Sequence, residues 1–277
     1  MGLLELKSIK KTYFLGSSVW GKRKIVEAVK NVSLTLEEGV CLGLVGESGS
    51  GKSTLGKILL GLEKPDQGEV WFQGRNLYNL KAKELKELRR NLQVVFQDCY
   101  SAVNPRLTVG EIIAEPLRNY ERLTSAQEKK KVQEFLEIVG LCLEDIHKYP
   151  HHFSGGQLQR INIARAIALK PKLIILDEAV SALDVLVQVQ ILNLLAQLKE
   201  EFQLSYLFIS HDLQAVNYIA DRLAVMYKGE VVERLDDMEQ LERLEHPVSK
   251  KLLSSVLPPY PSGERLGIIN NMTKISL

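Results

Sequence analysis

Residues 46–54 read G-E-S-G-S-G-K-S-T, which fills the whole G-x-x-x-x-G-K-[ST] pattern of a phosphate-binding loop. A triphosphate needs a ring of backbone N–H donors, one mobile cation and a hydroxyl for a divalent metal. Gly46, Gly49 and Gly51 let the chain curl so that its N–H groups, including those of Glu47, Ser48 and Ser50, point inward. Lys52 is placed to reach the β- and γ-phosphates, the Ser53 hydroxyl to ligate Mg²⁺, and Thr54 to meet a phosphate nearby. A glycine-rich turn ahead of a helix cap is the plain alternative, but it does not require Lys followed by Ser at those two positions.

Two acids complete the chemistry. Leu173-Ile-Ile-Leu-Asp177-Glu178 ends a short apolar run in adjacent carboxylates. Asp177 suits Mg²⁺ and Glu178 suits a general base that polarises an attacking water. His211, in I-S-H-D, also follows an apolar run and is a candidate for the γ-phosphate, although a single His at a strand end is often structural. Far along the chain, Phe153-Ser-Gly-Gly-Gln157-Leu-Gln-Arg160 sets small residues before a helix. There Ser154, Gly155, Gly156 and Gln157 offer N–H groups, a hydroxyl and a helix dipole to a second anion. Spacing leaves open whether that anion belongs to the same nucleotide or to one held by another subunit.

The elements that must position these residues alternate. Strands are expected at Leu3–Ile9, Val29–Leu36, Val40–Val45, Glu69–Phe72, Leu92–Phe96, Leu173–Leu176, Ser205–Ile209 and Leu223–Met226. Helical periodicity marks Ser53–Leu60, Ala82–Arg90, Val109–Leu117, Ala126–Val139, Leu158–Leu169, Val185–Glu200 and Leu213–Ile219. Continuous apolar strands between helices predict an α/β fold with a largely parallel sheet covered on both faces. The stretch from about 108 to 143 has no strong strand and reads as a helical insertion. Residues 15–24 read as a surface loop or hairpin, and 258–277 as a loosely packed tail.

Composition narrows the class. The 277 residues carry 36 Lys plus Arg against 34 Asp plus Glu, a net charge of +2, so nothing favours a nucleic-acid partner. Cys41, Cys99 and Cys142 are sparse and unpaired in spacing, which suits a reducing compartment. No run approaches the ~18 apolar residues of a membrane span, and Gly2 lacks the Ser or Thr that follows in a myristoylation signal. A membrane role would therefore need a partner to hold the chain there. His147, His151 and His152 lie near Cys142, but no ligand set completes a nickel site, and direct nickel binding is not expected.

G-E-S-G-S-G-K-S-T, V-F-Q97-D, F-S-G-G-Q-L-Q-R, L-I-I-L-D-E, S-A-L-D184 and I-S-H211-D follow one another in the order of ATP-binding-cassette ATPases. The chain resembles that family, with motifs from 13 to 212 and family-like sequence to about 261. The resemblance implies a P-loop NTPase with a RecA-like core at about 1–97 and 166–235, including an antiparallel β region. A helical subdomain at about 98–165 would complete a single domain over 1–257. It implies ATP and Mg²⁺, and two subunits that sandwich two nucleotides, the phosphate loop of one facing the S-G-G-Q of the other. Tyr13 would stack on adenine, though beside Phe14 it reads equally as a packed strand residue. Gln97 would contact Mg²⁺ or water and couple to the membrane partner. Glu178 would be the base, Asp184 would cross the dimer interface, and His211 would engage the γ-phosphate.

Within the family, V-F-Q-D-C-Y-S-A-V-N-P-R-L-T-V and H-P-V-S-K-K-L-L-S-S-V-L-P-P-Y-P resemble the peptide and nickel importer branch. Asp177-Glu178-Ala179-Val180-Ser181, with alanine where many members have proline, is similar to the second ATPase subunit of nickel importers. A peptide or metallophore cargo is the alternative. The resemblance implies a sister ATPase or a second copy, two transmembrane permease subunits, an extracytoplasmic binding protein, and a place on the cytoplasmic face of a bacterial membrane. An exporter would pair with a different membrane domain. Repair members insert a long coiled coil and translation members often carry two cassettes, and neither fits this length. Intact Lys52, Asp177, Glu178 and His211 argue against a catalytically dead binding module. No cysteine follows Cys142, so no iron–sulfur centre is expected.

Overall fold

The computed structural model describes residues 2–15 and 24–256. The core of the expected surface loop (16–23) and the 258–277 tail lie outside the described residues. Two sheets organise the rest. Strands β1 (Leu4–Leu15), β2 (Lys24–Leu36), β4 (Gln67–Phe72) and β5 (Arg75–Asn76) form an antiparallel sheet ordered β2-β1-β4-β5. A six-stranded sheet is ordered β10-β9-β3-β8-β7-β6, from β10 (Glu230–Leu235), β9 (Arg222–Tyr227), β3 (Cys41–Val45), β8 (Ser205–Ser210), β7 (Leu173–Asp177) and β6 (Leu92–Phe96). Its strands run parallel except β10, which pairs antiparallel to β9.

Strand alternation builds two cores. Leu42, Leu44, Leu173, Ile175, Leu207, Ile209, Ala224 and Met226 pack on one face with the antiparallel sheet and α1 (Lys52–Leu59). Cys41, Val45, Ile174, Leu176, Tyr206, Phe208, Leu223 and Val225 point the other way. That second core takes in α3 (Val109–Tyr120), α4 (Ser125–Ile138), α5 (Gly155–Ile167), α6 (Val185–Phe202) and α7 (Leu213–Ile219). Short α2 (Ala82–Arg89) precedes β6, and α8 (Pro247–Val256) ends the described chain. Both faces of the parallel sheet are thus covered, which is why its strands read as unbroken apolar runs. Among the described residues no helix is long and apolar enough to cross a membrane.

Several elements depart from the expected bounds, among them β2, which starts at Lys24 inside the expected 15–24 loop rather than at Val29, and β5 and α8, which the periodicity does not mark. β1 runs on past Ile9 to Leu15, where the alternation is hidden by irregularities: Ser8 sits at φ 53 and the register against β2 shifts between Leu6 and Ile9, Ile9 and Lys11, and Lys11 and Thr12. α5 begins at Gly155, before the expected Leu158. The glycine pair disfavours a helix locally, but Ser154 accepts Gln157 N–H at 3.3 Å and the Gln157 side chain accepts Ser154 N–H at 3.0 Å, a reciprocal cap. β10 was not expected. It follows a tight Lys228-Gly229 turn, both at positive φ, and Lys-Gly is a weaker hairpin signal than Asn-Gly.

Candidate nucleotide site

The parallel strands deliver the motifs to one edge. Val45 pairs with Ser210, Phe96 with Asp177, and Asp177 with Ile209. The residues that follow those strand ends, Gly46, Gln97, Glu178 and His211, therefore leave the same carboxyl edge, where α/β sheets bind ligands. A cleft of about 660 Å³ opens there, lined by Ser48, Gly49, Gly51, Lys52, Ser53, Thr54 and Glu178 together with β2 residues Ile25–Ala28 and Lys228. Its size suits a mononucleotide.

Gly51 makes the loop possible. Its φ is 105, and a Cβ there would overlap the Ala28 carbonyl oxygen of β2. Lys52 turns inward and is 4% exposed. Its ammonium donates to the Gly46 carbonyl at 2.7 Å and the Glu47 carbonyl at 3.0 Å, and lies 3.5 Å from Ser50 Oγ. Burial lowers the Lys52 pKa, opposed by the carboxylates of Glu178 and Asp177. Glu47 points away and pairs with Lys251 of α8 at 2.6 Å.

The acids occupy the floor. Burial, with Glu178 adding to it, raises the Asp177 pKa. Asp177 Oδ1 is buried and has no hydrogen-bond partner among the described residues. An orphaned carboxylate oxygen next to a second carboxylate, with the Ser53 hydroxyl lining the same cleft as Glu178, offers hard oxygen donors, which fits Mg²⁺. Glu178 adopts φ 51, an uncommon left-handed conformation for a residue with a side chain. Its N–H donates to Ile209 O at 2.9 Å, and Ser181 Oγ donates to its carbonyl at 2.9 Å. The strained turn aims the carboxylate at His211, whose Nδ1 lies 2.6 Å from Glu178 Oε2. Gln97 is exposed one residue past β6.

The remaining motif residues lie elsewhere. Ser154 caps α5, and Asp184 caps α6 by accepting Val187 N–H at 3.0 Å. The two helix starts abut, because Gly156 leaves no room for a side chain against Val187. This ledge carries exposed Val185 and Leu186 and is not part of the cleft. Tyr13 pairs across strands with cleft-lining Val26, while its hydroxyl donates to Glu63 Oε2 at 2.7 Å. His147, His151 and His152 lie in short 3-10 turns before α5, where His152 Nδ1 accepts Tyr149 N–H.

Sequence reasoning missed the β2 wall and Lys228. Neither carries a motif, and only the antiparallel sheet's approach to the loop brings them in. It also passed over Gln159 on α5, whose Nε2 donates to Ala179 O at 2.6 Å and reaches Phe96 O at 3.4 Å.

The sequence pattern of the ABC transporter family matches residues 29–181, more than half of the chain. This chain belongs to the ABC transporter family. The oligopeptide transport ATP-binding protein AppF of Bacillus subtilis is 48% identical over 257 residues, 92% of this chain and 78% of that protein. The oligopeptide transport ATP-binding protein OppF of Salmonella typhimurium is 49% identical over 247 residues, 89% of this chain and 74% of that protein. The dimeric ATP-binding cassette MJ0796 bound to ADP and Pi superposes with a TM-score of 0.74 at 33% identity, covering 83% of this chain and 97% of that one. CbiO1 from Clostridium perfringens, at 23% identity, shares the fold at a TM-score of 0.76 over 99% of both chains. The ABC ATPase fold and an ATP–Mg²⁺ site follow from family and structure together, and the chain is an ATP-hydrolysing subunit of an ABC importer.

Proposed function

We propose that this chain energises import of oligopeptides. The observation that carries the cargo is the name shared by relatives at 48–49% identity, which are oligopeptide transport ATP-binding proteins. That favours the peptide alternative over the nickel cargo expected from the Asp177-Glu178-Ala179-Val180-Ser181 segment. The proposed partners are a sister ATPase or a second copy, two permease subunits and an extracytoplasmic binding protein, with the assembly at the cytoplasmic face of the membrane.

Residues 46–54 bind the triphosphate, and Lys52 exchanges the Gly46 and Glu47 carbonyls for phosphate oxygens. Ser53 and Asp177, with Gln97 at the neighbouring strand end, would hold Mg²⁺, which offsets charge on the β- and γ-phosphate oxygens when bound. Glu178 takes a proton from the attacking water, and His211, held against Glu178 Oε2, orients that carboxylate toward the γ-phosphate. Tyr13 packs on the adenine. Ser154, Gly155, Gly156, Gln157 and Asp184 serve the nucleotide of the opposing subunit, since their ledge is turned outward and Gly155 has no tight neighbour among the described residues. Gln97 passes motion to the permease.

The test is Glu178→Gln in the complex co-purified with its membrane subunits. The amide keeps the shape and cannot accept the proton, so turnover should fall about 10²–10⁴-fold while fluorescent-nucleotide binding persists. Undiminished hydrolysis would sink the assignment of the base. Stimulation of wild-type ATPase by binding protein loaded with peptide, but not with Ni²⁺, supports the cargo; the reverse pattern restores nickel.

A further inference from the structure

Gln159 is 1% exposed, lies one turn beyond Gly155 on α5, and carries no assigned role. Its amide touches two backbone carbonyls on different elements. Nε2 donates to Ala179 O at 2.6 Å and lies 3.4 Å from Phe96 O. Ala179 directly follows Glu178, and Phe96 directly precedes Gln97. One buried side chain on the helix that starts at S-G-G-Q therefore grips the chain beside the proposed base and beside the proposed sensor of the permease.

Stability does not explain the choice of residue. Gln159 Oε1 is buried and unpaired among the described residues, and an unpaired buried acceptor offsets much of what the two donated bonds contribute. The Glu178 turn, in contrast, needs holding. Its left-handed backbone persists only if the surroundings over-determine it. Ile209 O restrains the Glu178 N–H and Ser181 restrains the Glu178 carbonyl. Gln159 restrains the next carbonyl, and is the restraint among these that comes from α5. The same helix is wired to the segment after Gln97 by Asn162 Nδ2 to Cys99 O at 3.1 Å and Arg165 to Ala102 O at 2.7 Å.

We infer that Gln159 is a positioning residue that couples the placement of α5 to the geometry of Glu178 and Gln97, so that movement of the S-G-G-Q helix sets whether the base is aligned. This rests on the roles given above to Glu178 and Gln97.

The test uses the co-purified complex, with turnover counted above the residual of the Glu178→Gln complex. Gln159→Met keeps the volume and removes both donors. Gln159→Glu keeps the shape, and its carboxyl donates one O–H to Ala179 O when protonated. For Gln159→Met, kcat should fall about 10- to 100-fold, the scale of a misplaced catalytic group, with KM for ATP and nucleotide affinity within about two-fold. Gln159→Glu should retain more turnover than Met, and its rate relative to wild type should climb as pH falls. Three results would overturn the inference: wild-type kcat in Gln159→Met, a loss carried by KM rather than kcat, or a Glu variant no better than Met. If the Met variant does not fold, the Glu variant decides alone, and a pH-independent ratio overturns the inference. A wild-type complex that turns over no faster than Glu178→Gln would instead fault the proposed function.

Discussion

The adjacent glycines of Ser154-Gly155-Gly156-Gln157 should respond differently to the same substitution. A Cβ on Gly156 would overlap Val187 Cγ1 and stand 3.6 Å from Val187 Cβ, whereas a Cβ on Gly155 meets Leu183 Cδ2 at an ordinary 3.7 Å. Val187 lies in the first turn of α6 and its β-branched side chain has little rotamer freedom there, so relief requires α5 and α6 to separate. Overpacking of this kind costs about 1–3 kcal/mol. The intrinsic helix preference of Ala over Gly returns at most about 1 kcal/mol, so the clash wins. Gly156→Ala should lose about 1–2 kcal/mol net, read as a Tm lowered by about 2–8 °C for a domain of this size. Gly155→Ala should melt no lower than wild type, yet lose ATPase activity, because its methyl stands on the outward ledge assigned to the opposing nucleotide. A double-mutant cycle isolates the cause: Gly156→Ala with Val187→Ala should be more stable than the sum of the single changes by about 1 kcal/mol or more. Thermal melts of the four proteins and their ATPase rates decide it. Equal Tm shifts for both glycines, or strict additivity with Val187→Ala, would refute the packing argument. Full activity in Gly155→Ala would refute the outward role.

Two further outcomes test the phosphate loop and the acids. Gly51→Ala must place an L side chain at φ 105 against the Ala28 carbonyl; left-handed strain alone is about 1–2 kcal/mol. The overlap adds to it, so nucleotide binding and several degrees of Tm should be lost together, and a stable variant that binds ATP normally would contradict the geometry. Asp177→Asn should abolish Mg²⁺-dependent hydrolysis while raising Tm. Burial and Glu178 raise the Asp177 pKa, so the folded state holds the proton more tightly than the unfolded chain does. The cost of the charged form is therefore full above the folded pKa and vanishes below the ordinary ~3.9 of an unfolded Asp. The stability advantage of Asn over Asp should accordingly be full at neutral pH and shrink in melts taken down through the folded pKa to the ordinary ~3.9, and an advantage that stays constant or grows down to that point would show that Asp177 is not strained by its charge.

The row of reactive groups was legible because each member sits at the end of a short apolar run. Parallel strands in register then bring those ends together: Val45 beside Ser210, and Asp177 between Phe96 and Ile209. Backbone periodicity sufficed, since the central strands β3, β8, β7 and β9 are almost wholly buried. Legibility failed where a contact joins elements with no shared period. β1 runs on past Ile9 to Leu15 through register shifts that reset alternation without marking the residue types. Gln159 reads as one more polar residue in a helix, and only the packing of α5 against the end of β6 and the turn after β7 gives its amide two carbonyls to hold. The two glycines show the limit most clearly. In sequence they are the same letter twice, and a small residue before a helix is explained by either flexibility or a cap. In the fold, Gly156 is required by Val187 of its own chain, while nothing among the described residues requires Gly155. A glycine without an internal reason points outward, and that argument links this ledge to a second subunit through packing. The cargo has no such trace. Lys52, Asp177, Glu178 and His211 do the same chemistry whatever is imported, so the peptide reading rests on relatives. The place to contest it is the assembled transporter, where peptide and Ni²⁺ compete to stimulate one ATPase.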